Sequence, residues 1–393
     1  MLHRIIFALS LLLAFSASSA SVAAPASHAA PTFFDSSSTH QRATAYSPNQ
    51  IATAYDFAPL TSQGIDGSNQ TVALIEIDGF DPADVRQFDA TYNLPDPAIQ
   101  QFYYGGKSFQ TENHGETTMD IEWLHALAPG EAIQIYYLKN YQSAPAGWQS
   151  MATAVRLATQ HGARTVSISL GACGPGKGSK ATRRAFAGLM RLGVAIFVSS
   201  GDSGAYPGPV KECGRKYGVG YPAGDPSVVS VGGTSLKLNG DNSIASEVAW
   251  HLSGGGQTSL LRPAWQVAAG IPTDKYRWAP DVAFLGDPST GVSVYLKGKW
   301  QQAGGTSLGA PCWAAAWALI RQDQQVLGGR ISAAPALLYR IANSSTFHTV
   351  FHDITAGSNG RYHARPGWNP VTGWGTPDVG SLATAVSTLF PGQ

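Results

Sequence analysis

The chain has 393 residues, a formal net charge of +1, 44% hydrophobic residues and only 13% charged ones. That balance, with no basic run, excludes a dedicated nucleic-acid binder and describes a core-forming globular protein. Few acids need neutralising at low pH, which suits an acid-tolerant protein.

Residues 1–24 read as a secretory signal peptide. His3 and Arg4 precede the apolar run IIFALSLLLAF (5–15), and small residues follow. The run is too short to span a bilayer, and cleavage is expected between Ala20 and Ala30. The protein is therefore expected to be secreted, extracellular or periplasmic, with no membrane attachment once the signal is removed. Residues 25–45 are polar and patternless and read as a linker. From Tyr46 to the C-terminus, 46–393, no second linker or internal repeat interrupts the text, so a single domain is expected.

Strand-like and helical patterns then alternate. TVALIEID (71–78) reads as a strand, ETTMDIEWLHALA (116–128) as a helix and AIQIYYL (132–138) as a strand. GWQSMATAVRLATQHG (147–162) reads as an amphipathic helix closed by Gly162. RTVSISLG (164–171), VAIFVSSGD (194–202) and SVVSVGG (227–233) read as strands, with a helix at KATRRAFAGLMRLG (180–193). This order predicts an α/β fold with a mainly parallel central sheet and helices on both faces. Asp78, Gly171 and Asp202 fall at carboxyl ends of strands, where such sheets place their sites.

Three motifs carry candidate chemistry. In GGTSLGAPCWAAAWALI (304–320) two glycines make a tight turn and expose Ser307 at a helix N-terminus, where free N–H groups favour an oxyanion. A plain helix cap by Thr306 or Ser307 is the alternative. Pro311 costs little if it lies near the first helical position. SSGDSG (199–204) puts Asp202 in a polar, glycine-rich loop; an ordinary turn aspartate is the alternative. In HGETTMDIEWLH (114–125), Glu116 and Asp120 are four residues apart, so on a helix they share a face and repel. Such a pair holds and passes a proton when one member is pushed to protonate; a solvated helix face is the alternative.

Export permits disulfides. Of three cysteines, Cys173 and Cys213 lie in glycine-rich loops and are expected to pair. Cys312, in an apolar run, is expected to be a buried free thiol.

Ser307 in GGTSLGAP, Glu116 and Asp120 in GETTMDIEWLHALAPG and Asp202 in SSGDSG together resemble the sedolisins, or serine-carboxyl peptidases, and most of all their kumamolisin-like bacterial branch. YPAGDPSVVSVGGTSL (221–236), SGGGQTSLLRPAWQ (253–266), PDVAFLGDPSTGVSVY (280–295) and DIT…GWNPVTGWGTPD (353–378) extend the resemblance to the C-terminus. It implies a subtilisin-like fold and peptide-bond hydrolysis at acidic pH. Ser307 would be the nucleophile, Glu116 the general base, Asp120 its tuner, and Asp202 the donor to the oxyanion. A carboxylate base still takes a proton at a pH where a histidine is already charged.

The same resemblance implies a calcium site. It would be formed by Asp353, the carbonyls of Ile354, Arg365 and Gly367, and Asn369. Family members usually have Gly where Arg365 stands and Asp where Asn369 stands, so weakened calcium binding is expected. Ser169–Gly171 and Ser253–Gly256 resemble segments that line the cleft and pair with an extended peptide. Glu76 resembles an acid that extends the hydrogen-bond network, and Leu170 stands where that branch often has Trp. Family members carry a long propeptide, for which 25–45 leaves little room.

The expected partner is a protein or peptide substrate, and a monomer is expected. Two other readings compete: a catalytically silent secreted binding protein of the same fold, and a Ser-His-Asp peptidase that uses His114. His125, nine residues beyond Glu116, is expected to be structural.

Overall fold

The computed structural model describes residues 32–35, 45–103, 115–138, 146–327 and 333–389. Its centre is a sheet in the order Val282–Leu285, Val229–Leu238, Ala195–Ser199, Thr165–Ile168, Thr71–Glu76, Ala132–Tyr137, Ala98–Tyr103. All neighbours on this path run parallel. Ile244–Ala249 adds an antiparallel strand against Val229–Leu238.

Period-two alternation divides the strand side chains between two apolar layers. Val72, Leu74, Ile133, Ile135, Ala195 and Phe197 face one layer. That layer is completed by the helices Gly115–Leu127 and Thr306–Val326. Ala73, Ile75, Val166, Ile168, Ile196 and Val198 face the other, with the helices Ala146–Gln160 and Ser179–Arg191. Helices therefore cover both faces, and Gly162 closes its helix at φ 102°. Among the described residues, no helix is long and apolar enough to cross a membrane.

From Thr71–Glu76 the chain first moves toward the Ala98–Tyr103 edge, then returns to build the opposite half from Thr165–Ile168 onward. The direction reverses beside Thr71–Glu76, which opens a crevice at the carboxyl ends of the strands. Glu76, Ser169 and Asp202 all stand at that end.

The structure alters one expectation of organisation. Thr32–Asp35, inside the expected linker, forms a strand antiparallel to Gln301–Gly304. Thr-Phe-Phe is strand-forming, and the hairpin Val292–Leu296/Lys299–Gly304 presents an edge that gains from a partner.

Candidate active site

Gly115–Leu127 is a helix without a solvent face: all its residues except Ala126 are buried, the acids included. Such a helix contributes chemistry from its interior rather than solubility from its surface. It packs against Thr306–Val326, which brings Glu116 and Asp120 to Ser307. Glu116 and Ser307 are each 2% exposed, and Asp120 is fully buried.

Ser307 and Ser169 lie beside the Glu116 carboxylate, and their hydroxyls favour its charged form. Burial pushes the Glu116 carboxyl well above its ordinary range; Asp78 and Asp202 add like-charge repulsion, and the two hydroxyls pull the other way. Ser169 Oγ also lies 2.8 Å from Asp120 Oδ2 and 3.2 Å from the Ser307 carbonyl oxygen.

That carbonyl explains Pro311, which lies well inside the helix rather than at its first position. A residue at 311 would normally donate its N–H to the carbonyl four positions earlier, that of Ser307. Proline has no N–H, so the acceptor is left for Ser169. The helix gives up one internal bond, and the nucleophile's backbone is tied to the acid cluster.

Asp202 is held from the other side. Its Oδ1 accepts from Thr306 N and from Thr306 Oγ1, each at 2.8 Å, while Thr306 Oγ1 accepts from Gly201 N at 2.9 Å. Gly305 lies between them at φ 119°, and a Cβ there would stand 2.7 Å from Asp202 Oδ2. Only glycine gives both the conformation and the space. A helix cap by Thr306 or Ser307 was one alternative; the Thr306 hydroxyl instead binds Asp202.

The acid network extends further in. Glu76 is buried beside Asp120; burial first, then Asp120, Glu116 and Asp78, raise its pKa well above normal. Thr117 Oγ1 reaches Asp78 Oδ1 at 2.6 Å and Glu76 Oε2 at 3.2 Å. Leu170 is fully buried. Thus Glu76 joins the cluster although Leu170 replaces the expected Trp. Sequence reasoning gave Thr117 no role, Thr306 only that of a helix cap and Pro311 only a cost. A threonine after Glu116, another before Ser307 and a proline four residues after Ser307 were the available signals.

A small cavity of about 40 Å³ opens beside Ser307, lined by Gly171, Ala172, Ser199–Ser203 and Tyr221 among others. Cys173 and Cys213 are joined, Cα–Cα 5.1 Å, next to its wall at Gly208. Cys312 is a buried free thiol. Gly171 lines the cavity, whereas Gly254 packs its backbone under the Asp202 loop, its N–H donating to Gly201 O at 2.7 Å.

His125 is buried away from the cluster. Its Nε2 donates to Pro95 O at 2.7 Å, since a carbonyl only accepts, and its Nδ1 is 3.6 Å from Glu131. His114 lies outside the described residues.

The five residues matched to a calcium site also gather in one loop region. Asp353 accepts from Gly367 N at 3.1 Å to each oxygen. Asn369, however, turns its Nδ2 toward the carbonyls of Ile354 (3.3 Å) and Arg365 (3.4 Å). Calcium takes an all-oxygen shell at about 2.3–2.6 Å. With a donor group facing two of its oxygens, this arrangement does not fit the ion.

Sequence and structure comparisons address the family and the fold. Residues 113–375 match the model of the Subtilase family. Kumamolisin from Bacillus sp. (strain MN-32) is 33% identical over 88% of this chain and 64% of its own length. Sedolisin from Pseudomonas sp. (strain 101) is 29% identical over 87% of this chain and 61% of its own. The chain thus spans somewhat under two thirds of the length of these curated relatives. A solved structure, Pseudomonas sedolisin (serine-carboxyl proteinase) complexed with two molecules of pseudo-iodotyrostatin, superposes with a TM-score of 0.77 at 27% identity. It covers 88% of this chain and 98% of that one. The chain belongs to the subtilase family, in its sedolisin branch.

Proposed function

We propose that this chain is a secreted serine-carboxyl endopeptidase that cleaves peptide bonds in proteins at acidic pH through an acyl-enzyme on Ser307. The observation that carries the reading is the Ser307 hydroxyl beside a buried carboxylate, Glu116, whose charged form it favours, on two helices packed together.

Glu116 takes the hydroxyl proton as Ser307 Oγ attacks the scissile carbonyl carbon. Negative charge develops on the carbonyl oxygen. Asp202, with Oδ1 anchored on Thr306, donates from its protonated form to that oxygen. The intermediate collapses as Glu116 returns the proton to the leaving amine, and water then releases the acyl group by the same steps in reverse order of roles. The cavity beside Ser307 receives a substrate side chain.

Acidic pH serves both acids. Several carboxylates share one buried cluster, so it holds fewer charges than carboxyl groups. Glu116 faces the Ser307 hydroxyl, which favours its charged form, and is the natural seat of the charge. The donor role requires the protonated carboxyl of Asp202, a form that low pH favours.

The test is cleavage of denatured protein from pH 2 to 8 by the purified protein beside Ser307→Ala. Cleavage at acidic pH that Ser307→Ala abolishes is expected. No Ser307-dependent cleavage at any pH would leave a silent binding protein as the better reading.

A further inference from the structure

The loop that brings Asp353, Ile354, Arg365, Gly367 and Asn369 together is cross-linked from within. Asn369 is fully buried. Its Oδ1 accepts from Val371 N at 3.0 Å, Thr372 N at 3.0 Å and Thr372 Oγ1 at 3.1 Å. Two of those partners are backbone N–H groups, which only donate. A flipped amide would set N–H against N–H, so this network fixes which end is oxygen. The Nδ2 end consequently faces Ile354 O at 3.3 Å and Arg365 O at 3.4 Å, while the Thr372 hydroxyl sits beside both ends of the amide, 2.9 Å from Nδ2.

That geometry inverts the usual demand of such a pocket. Two carbonyl dipoles converge on one point, and converging oxygens need positive charge between them. A carboxylate at 369 would add negative charge and call for a cation. An amide supplies the positive end itself, as two polarised hydrogens. The residue also closes its own turn, since Asn369 and Gly373 exchange backbone bonds at 3.0 and 2.9 Å. Asp353, the carboxylate of the group, is engaged by the Gly367 N–H. Each oxygen described here therefore has a donor supplied by the chain.

We propose that the Asn369 side-chain amide takes the place of a calcium ion, bridging the Ile354 and Arg365 carbonyls, so that the C-terminal segment is held without metal. The fold then tolerates chelation and acid, where a carboxylate-bound ion would be released by protonation. One residue converts a metal site into a hydrogen-bonded lock.

The test uses the full protein and calcium chloride alone. Thermal unfolding is measured at neutral pH with chelator and with millimolar calcium, and calcium binding is followed by titration calorimetry. For the native sequence the expected Tm is the same in both conditions, with no binding heat. Asn369→Asp is expected to melt several degrees lower with chelator, and calcium should restore it with measurable binding. Calcium binding by the native sequence, or a fall in its Tm on chelation, would overturn the proposal. So would an Asn369→Asp protein whose Tm ignores calcium. If Asn369→Asp does not fold, the native sequence alone decides by its response to chelator.

Discussion

At the scale of single residues, Ser169 links the parts of the site. Its Oγ faces Asp120 Oδ2 and the Ser307 carbonyl, and its hydroxyl also favours the charged form of Glu116. A hydroxyl has one proton, and an ionised Asp120 would compete with the carbonyl for it. The shorter contact, to Asp120, and the longer one, to the carbonyl, therefore share that single proton. Ser169 is thus a positioning residue that connects the charge state of the cluster to the backbone of the nucleophile. Ser169→Ala is expected to lower kcat by about 10–100-fold with KM nearly unchanged, and to change the shape of the pH–kcat profile. Its stability should fall by about 1–3 kcal/mol from the lost buried bonds. Steady-state kinetics over pH and denaturant unfolding check this; a fall in stability with kcat intact would reduce Ser169 to a packing role. Glu116, Asp120, Asp202 and Ser307 were readable because they sit in distinctive motifs. Ser169 was readable only as a neighbour of the cleft. Its hydroxyl acquires meaning from Pro311, a partner that adjacency in sequence does not suggest.

At the scale of elements, the helix Thr306–Val326 is set by how near it comes to the sheet. Ala314–Ala316 and Ala318 keep it slim, while Trp313 donates to Ala283 O at 2.8 Å. Gly309 marks the closest approach: a Cβ there would meet Val231 Cγ1 at 2.8 Å and Phe284 Cβ at 3.2 Å. Gly309→Ala must push the helix or the strands, at a cost of about 1–3 kcal/mol. Because Ser307 rides on the same turn, kcat should fall more than substrate affinity. Denaturant unfolding with matched kinetics tests this, and a more stable Gly309→Ala protein with unchanged kcat would refute it. The buried strands were legible because residues such as Val72–Ile75 are apolar on both faces. The edge strand Ala98–Tyr103 was not: Gln100 and Gln101 are exposed and give it no apolar alternation. Ile244–Ala249 carries Ser246 and Glu247 and hides for the same reason.

At the scale of the whole molecule, the buried acids set the pH dependence of stability. Burial raises Glu76 and Glu122 well above 4.5, Glu131 to about 7 and Asp89 to about 6. In each case the folded state holds a proton that the unfolded chain releases more readily. The stabilisation is therefore complete below the unfolded value and is lost as pH rises through the folded one. His125, raised by Glu131 against the opposing effect of burial, has the same sign. The Tm is expected to be highest below about pH 4.5 and to decline toward pH 7, opposite to acid denaturation. Glu131→Gln should flatten that decline, removing on the order of 3 kcal/mol of pH dependence between about 4.5 and 7. Calorimetric scans over pH would show it; a Tm rising from pH 4 to 7 would contradict it. The low count of charged residues hinted at acid tolerance, but the composition could not show that so many of the acids are buried.

The central claim is that a carboxylate, not a histidine, activates Ser307. The most direct measurement is the pH profile of kcat/KM on a peptide substrate for the native protein, Glu116→Gln and His114→Ala. The account predicts a maximum at acidic pH, a loss of about 10²–10⁴-fold in Glu116→Gln, and little change in His114→Ala. A maximum above pH 7 that disappears in His114→Ala and survives in Glu116→Gln would contradict it.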